Sequence, residues 1–552
     1  MRKKKVLALL MAAVTIFGTG CGGNSDGDKI SVGDRPAGEK IVIYAGGSSE
    51  FAWTQGSKES EVIDYIEQKY YEDTGKSIDF EIAYLGQNMK SKLASELAAS
   101  SQVDVAISHT RGGDGIDDWA MEQKQYYEGL GDLISEVAPN LEAAITKSTL
   151  DDASVSTPLD SMTNYMGEVV GIPSVISPYK FGILVRKDLM EACGYTDDKE
   201  KAASGSMELV DNLETFEKMC FAIKEKTQQA YVVSGAAWDW EKVLTLGAFT
   251  DAGTFTSAMF DLDGDGEKES YLSGGASPEY AKVLDLEYRW ASSGILNPSG
   301  SETMLEQGEA EFISGKTAVF VQDPTVTHLI KVARLTKEQN PDAEFTVLGP
   351  LAATKGAEKK GFMRNNESTF AAIVLKSSTK TVQLLQFLNW VYKSEDNYNL
   401  CRYGVEGKHW INNGDGTYSY PEGSGYDVRP AYSGILTLVE NQNMSNLVNV
   451  GYTDEEMKWI KDIAGDPDNY VQNDMMDYLF VTTPDMRSVI SSTQIYPTQN
   501  AAWKGSSNPS EKRSDGLTNY EYISGVYRTK TLSVNENYKK QYLLMRDERA
   551  GK

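Results

Sequence analysis

The sequence predicts an α/β fold built on doubly wound sheets, and three observations predict it. Strand-like and helix-like segments alternate through the first seventy residues after position 40. A second alternating section opens after Gly171-Ile172-Pro173. From Thr379 onward helical patterns dominate, with Val382, Leu385, Phe387, Leu388 and Val391 the clearest. Alternation of this kind argues for parallel strands covered by helices on both faces.

The first section reads β-α-β-α-β. Ile41-Val42-Ile43-Tyr44 is a short apolar run that stops at Gly46-Gly47. Val62, Ile63, Ile66 and Tyr70 recur at helical spacing, and Gly75 stands where such a helix ends. Phe80 and Ile82 alternate with polar neighbours as a strand does; Met89, Leu93 and Leu97 return to a four-residue period; Val103 to Ile107 is the third strand. In the second section Phe181 to Val185 is a strand and Asp188-Leu189-Met190 starts a helix. Leu213, Phe216, Met219, Cys220 and Ile223 line one helix face, and Tyr231 to Val233 is a strand running into Trp238-Asp239-Trp240. Ligands of such sheets bind beyond the carboxyl ends of the strands. The loops after Tyr44, Ile107 and Val233 are therefore where a site is expected.

Composition excludes several function classes. The chain has 552 residues with 54 Lys+Arg against 80 Asp+Glu, a net charge of -26 that repels nucleic-acid backbones. Three histidines leave little room for imidazole-based metal or acid–base sites. No His-Glu-x-x-His or Gly-x-Ser-x-Gly motif is present, and Gly315-Lys316-Thr317 lacks the earlier glycine of a phosphate loop because Ala310 stands there.

The N-terminus reads as an address. Arg2 and Lys3 to Lys5 form a basic region, Val6 to Phe17 is an apolar run, and Gly18-Thr19-Gly20 supplies small residues before Cys21. Residues 1–20 are thus a signal peptide. Their removal leaves 50 basic against 80 acidic residues, a charge of -30. Small residues directly before a cysteine resemble the bacterial lipobox, in which the Cys21 thiol would carry the lipid, although Gly18 replaces the usual leucine. The alternative is an ordinary signal-peptidase site that happens to precede Cys21. Residues 21–39, rich in Gly, Ser and Asp, read as a lipid-anchored flexible linker. The remaining Cys193, Cys220 and Cys401 read as buried thiols rather than a disulfide framework.

From Leu184-Val185-Arg186-Lys187-Asp188-Leu189-Met190 to Gly194-Tyr195 the chain resembles bacterial extracellular solute-binding proteins of the maltose-binding type. Gly167 to Pro173 (GEVVGIP) resembles that family's strand–turn–strand ahead of the first hinge, and Glu309 to Val321 (EAEFISGKTAVFV) its approach to the second. Phe387 to Tyr392 and Tyr403 to Trp410 resemble a large Gram-positive lipoprotein branch, whereas the chain after about residue 430 departs from it. The resemblance implies a two-lobed periplasmic-binding-protein-like fold, its doubly wound sheets joined by a multi-strand hinge, with extra C-terminal helices. It places residues 40–176 and 322–372 in lobe 1, and 177–321 and 373–552 in lobe 2. It also implies no catalysis: an ABC-importer lipoprotein held to the membrane only by lipid, closing over a carbohydrate and passing it to permease subunits, with no nucleic-acid partner and no cofactor. Two rivals stand beside it. One is an exported glycan hydrolase with two carboxylates about 5–9.5 Å apart; the other is the same fold with a non-sugar ligand.

Trp238, Asp239 and Trp240 are the strongest candidate ligand residues, since indole faces stack on sugar C–H patches while a carboxylate accepts hydroxyl protons. The alternative for both tryptophans is the core. Glu50 and Trp53 follow the first strand, and His109 and Arg111 the third. Tyr179 stands at the first hinge crossing and Asp323 at the return. Asp261, Asp263, Asp265, Glu267 and Glu269 form a calcium-like loop with Gly266 at its sixth position, but Leu272 replaces the closing glutamate. Of its two readings, a structural calcium site and an acidic Asp-Gly hairpin turn, the hairpin is favoured.

Overall fold

The computed structural model describes residues 35–46, 54–86, 89–110, 115–149, 157–177, 179–249, 258–260, 270–272, 278–298, 305–322, 325–364, 368–426, 429–471, 478–492 and 496–549. Nine strands form the two principal sheets. They are β1 (Glu39–Gly46), β2 (Ile78–Gly86), β3 (Val105–His109), β4 (Ile172–Pro173), β5 (Ile183–Arg186), β6 (Val233–Gly235), β7 (Val319–Val321), β8 (Phe345–Leu348) and β9 (Phe370–Val374). The first sheet has the order β2-β1-β3-β9-β4 and the second β8-β5-β7-β6.

β1 runs parallel to β2 and β3, as the alternation predicts, while β9 enters antiparallel between β3 and β4. Ile41, Val42 and Ile43 are all buried, the pattern of a strand covered on both faces. Helix Glu59–Thr74 brings Val62, Ile66 and Tyr70 onto this sheet and stops at Gly75, whose φ of +69° is a conformation that costs glycine no steric clash. The second sheet is mixed: β5 is antiparallel to β7 and β8, and only β6 and β7 are parallel. Helix Leu213–Thr227 covers it with Phe216, Met219, Cys220 and Ile223, its first turn capped by Asn212, which accepts from the Thr215 amide at 3.0 Å.

The lobes are interwoven, but their boundaries differ from the sequence-based division. Residues 345–348, assigned to lobe 1, form β8 and hydrogen-bond to β5 in the second sheet. Helices Thr381–Val391 and Glu395–Tyr403, assigned to lobe 2, pack into the first core, where Phe387 meets Tyr70 edge-on at 5.4 Å. The expected return near residue 322 fails because β7 is followed by helix Val326–Gln339 on its own lobe. The chain instead crosses at residues 174–182, at 349–369, between Asn441 and Trp459, between Ala464 and Leu479, and between Leu479 and Trp503.

The region after residue 430 is divided between the lobes. Tyr432 and Ile435–Val439 complete the first core, and Trp459 and Ala464 join a second-lobe cluster. Leu479 packs on the first sheet's other face, and Trp503 enters the second core. Cys193 is half-buried, Cys220 and Cys401 are buried, and all three are free thiols. Among the described residues no helix is long and apolar enough to cross a membrane.

Candidate functional site

At the carboxyl edge of the first sheet, β3 ends on half-buried His109, whose ring lies 4.3 Å from that of Phe370 at 33°. Register forces the meeting, because Phe370 is the residue paired with His109 across β9 and β3. The Thr110 hydroxyl donates to the Ser368 carbonyl at 2.5 Å, and the Ser368 hydroxyl donates to the Ser174 carbonyl at 3.1 Å. The connections after β3, after β4 and before β9 are thereby tied together at this edge. Glu50, Trp53 and Arg111 lie outside the described residues.

At the carboxyl end of β6, Gly235 has φ +123° and presses against β7 so closely that a Cβ there would sit 1.8 Å from the Val321 carbonyl oxygen. The strand then turns into a helical segment, Ala237–Asp239 followed by a π-turn over Trp240–Thr245. Asp239 is half-buried; the side chain of Trp238 lies outside the described residues. Trp240 does not serve as a platform. It is fully buried in the second core, so of its two readings the structure selects the core. The wider π-turn carries Glu241 inward as well, where the Tyr280 hydroxyl donates to it at 2.5 Å.

A second carboxylate is buried behind it. Glu287 is fully buried and accepts from Thr245 Oγ1 at 2.9 Å and from Trp503 Nε1 at 2.8 Å. Burial pushes its carboxyl up to about 8, the two hydrogen bonds pulling the other way. No apolar period or motif in the sequence marks this pair.

The crossing between the sheets supplies an aromatic group that sequence reading found only in part. Half-buried Tyr179 meets Tyr470 with ring centroids 5.0 Å apart, and Tyr470 meets Phe362 at 5.8 Å. The Tyr470 hydroxyl accepts from the Phe181 amide at 2.8 Å, and Tyr470-Val471 pairs with Phe362-Met363. Tyr470 thus pins two crossings at once. Its position follows from this remote pairing, which no local pattern announces. Asp323 lies outside the described residues.

A further motif is structural. In the turn after Tyr403, His409 Nδ1 accepts from the Val405 amide at 3.1 Å and Trp410 Nε1 donates to the Gly404 carbonyl at 2.9 Å, so the conspicuous rings hold their own loop. The strands Ala258–Phe260 and Ser270–Leu272 pair antiparallel and frame Asp261, Asp263, Asp265, Glu267 and Glu269, which lie outside the described residues. Among the described residues no cluster of His, Cys, Asp and Glu has a metal-binding arrangement.

Two interwoven α/β lobes, linked by several crossings with aromatic side chains at the junction, define a hinged binding-protein class. Residues 53–398, well over half of the chain, match the family described as bacterial extracellular solute-binding protein, and the chain belongs to that family. Solved structures show the same fold at low identity. One is the N-glycan transport solute-binding protein NgtS of Streptococcus pneumoniae (15% identity, 91% of this chain and 100% of that one, TM-score 0.59). Another is an HMO-binding, ABC-transporter-associated protein of Bifidobacterium longum infantis (13%, 92% and 99%, TM-score 0.62). A third is an EF-hand mutant of S. pneumoniae FusA in complex with fructo-nystose (15%, 92% and 99%, TM-score 0.58). No curated protein matches the chain in sequence.

Proposed function

We propose that this chain is the substrate-binding lipoprotein of an ABC importer, capturing an oligosaccharide between its lobes and handing it to the permease without catalysis. The observation that carries this reading is the Tyr179–Tyr470 pair at the junction of the lobes in a chain of this family. Half-buried rings beside hydrogen-bonding loops match the amphipathic faces of a sugar. The glycan-binding descriptions of three proteins with the same fold support the ligand class. Cys21, after its basic and apolar leader, is the lipid attachment point, which holds the domain at the outer face of the membrane through the 21–39 linker.

A panel of oligosaccharides tests the ligand. At least one raises the melting temperature of the purified domain by ligand linkage; no shift with any glycan, together with product release from one, identifies a hydrolase instead. The anchor is tested by Cys21→Ser, which abolishes lipid incorporation seen by mass spectrometry of the membrane fraction. Retention of the lipid in that variant refutes the assignment.

A further inference from the structure

The last helix, Asn519–Arg549, is 31 residues long, about 46 Å at 1.5 Å per residue. Its two ends are gripped by different lobes. Near the start, Tyr520 and Tyr527 are buried with Tyr280, Val283, Leu284 and Ala502. Helix Pro278–Ser293, which carries Tyr280, also plants Trp290 in the second core. From the helix midpoint onward, Val534 and Tyr538 pack on Met486. Gln541 clamps the Val481 backbone, accepting from its amide at 2.8 Å and donating to its carbonyl at 2.9 Å. Arg549 lies 4.0 Å over the Tyr478 ring and donates to the Asp160 carbonyl at 2.8 Å. This end belongs to the first lobe, because Leu479 is buried with Met89, Ile116 and Ile373, and Arg487 pairs with Glu122 at 3.4 Å.

We propose that this helix is a clasp that sets the separation of the lobes, so that a change in their separation requires release of its C-terminal grip. An α-helix is stiff along its axis and cannot lengthen without breaking its hydrogen-bond ladder. A rod fastened to both lobes opposes any rotation at the crossings unless one fastening lets go. The fastenings are unequal. The first buries six apolar side chains with four half-buried ones against them, while the second buries Met486, Val534 and Tyr538 with half-buried Phe480, Val489 and Tyr542 against them and adds polar contacts. The second is therefore the one that releases. Its cost is subtracted from the free energy of ligand closure, which makes the clasp a setting for affinity. That last step rests on the proposed function; the clasp itself does not.

The test separates them. Spin labels at Glu136→Cys and Lys218→Cys, both exposed positions on different lobes, are placed in a Cys21→Ser, Cys193→Ser background, and their distance distribution is measured by electron–electron resonance without ligand. Thr529→Pro breaks the rod between its grips and leaves both grips intact. The clasp predicts a distribution shifted or broadened beyond the parent peak, with Thr529→Ala unchanged. Superimposable distributions, with hydrogen exchange showing the helix broken around residue 529, overturn it. Should Thr529→Pro not fold, the double variant Gln541→Ala, Arg549→Ala loosens only the first-lobe grip, and the same two outcomes apply. If no glycan binds, the importer reading fails while the distances still decide the clasp.

Discussion

The indole of Trp503 donates its Nε1 proton to Glu287 at 2.8 Å, with both side chains fully buried. A residue from the chain's last tenth therefore completes the core of the second lobe. The bond also satisfies a carboxyl group that its surroundings would otherwise leave poorly solvated.

This pair predicts a pH dependence. The Glu287 carboxyl is raised from 4.5 to about 8 in the folded protein, so the unfolded chain ionises first as pH rises. Stability is then fully present below about pH 4.5 and declines towards pH 8. The melting temperature falls over that window, and Glu287→Gln flattens the fall. Identical pH profiles for the two proteins would remove Glu287 from the account.

The proposed function assigns the neighbouring tryptophans two roles. Trp240→Ala empties a core position and destabilises the fold by about 3–5 kcal/mol in denaturant unfolding. Trp238→Ala leaves stability near that of the parent and weakens oligosaccharide binding by about 1–3 kcal/mol, measured by calorimetry. A binding loss confined to Trp240→Ala would reverse these roles.

Tyr470→Phe and Tyr470→Ala divide the junction's functions. The phenylalanine keeps the ring beside Tyr179 but loses the hydroxyl that accepts from Phe181, a change of about 1 kcal/mol in stability with glycan affinity largely kept. Alanine removes the ring and lowers affinity at least tenfold. Equal affinity in both variants would show that Tyr179 needs no support from Tyr470.

Calcium is tested at the loop framed by residues 258–260 and 270–272. If the loop wraps a cation, calcium raises the melting temperature of chelator-treated protein and Asp263→Ala abolishes the rise. An unchanged melting curve establishes the acidic hairpin alone.

Much of the fold was legible in the sequence because local periodicity creates it. Val62, Ile66 and Tyr70 do lie on one buried face, and Ile41 to Tyr44 lie within β1, which pairs with β2 and β3. The lobe boundary was not legible. Nothing local in Phe345 to Leu348 says that this strand pairs with Ile183 to Arg186 rather than joining the first sheet. The site divides in the same way. His109 ends β3 and Tyr179 follows β4, positions that local pattern marks; Tyr470 and Glu287 reach their places through pairings remote in sequence. Trp240 has the same composition signal as Trp238, and only its burial reveals that it faces inward.

β9 sits between β3 and β4, although it follows both of them and the whole second sheet in the chain. During synthesis β4 has no neighbour on that side until Phe370–Val374 emerges, so the first sheet cannot close over its early strands. Long-range pairing of this kind makes folding slow. Here the pairing of β3 and β4 through β9 waits until most of the polypeptide exists. For a member of an extracellular family, a topology that postpones folding is compatible with passage through a narrow export channel before the sheet locks.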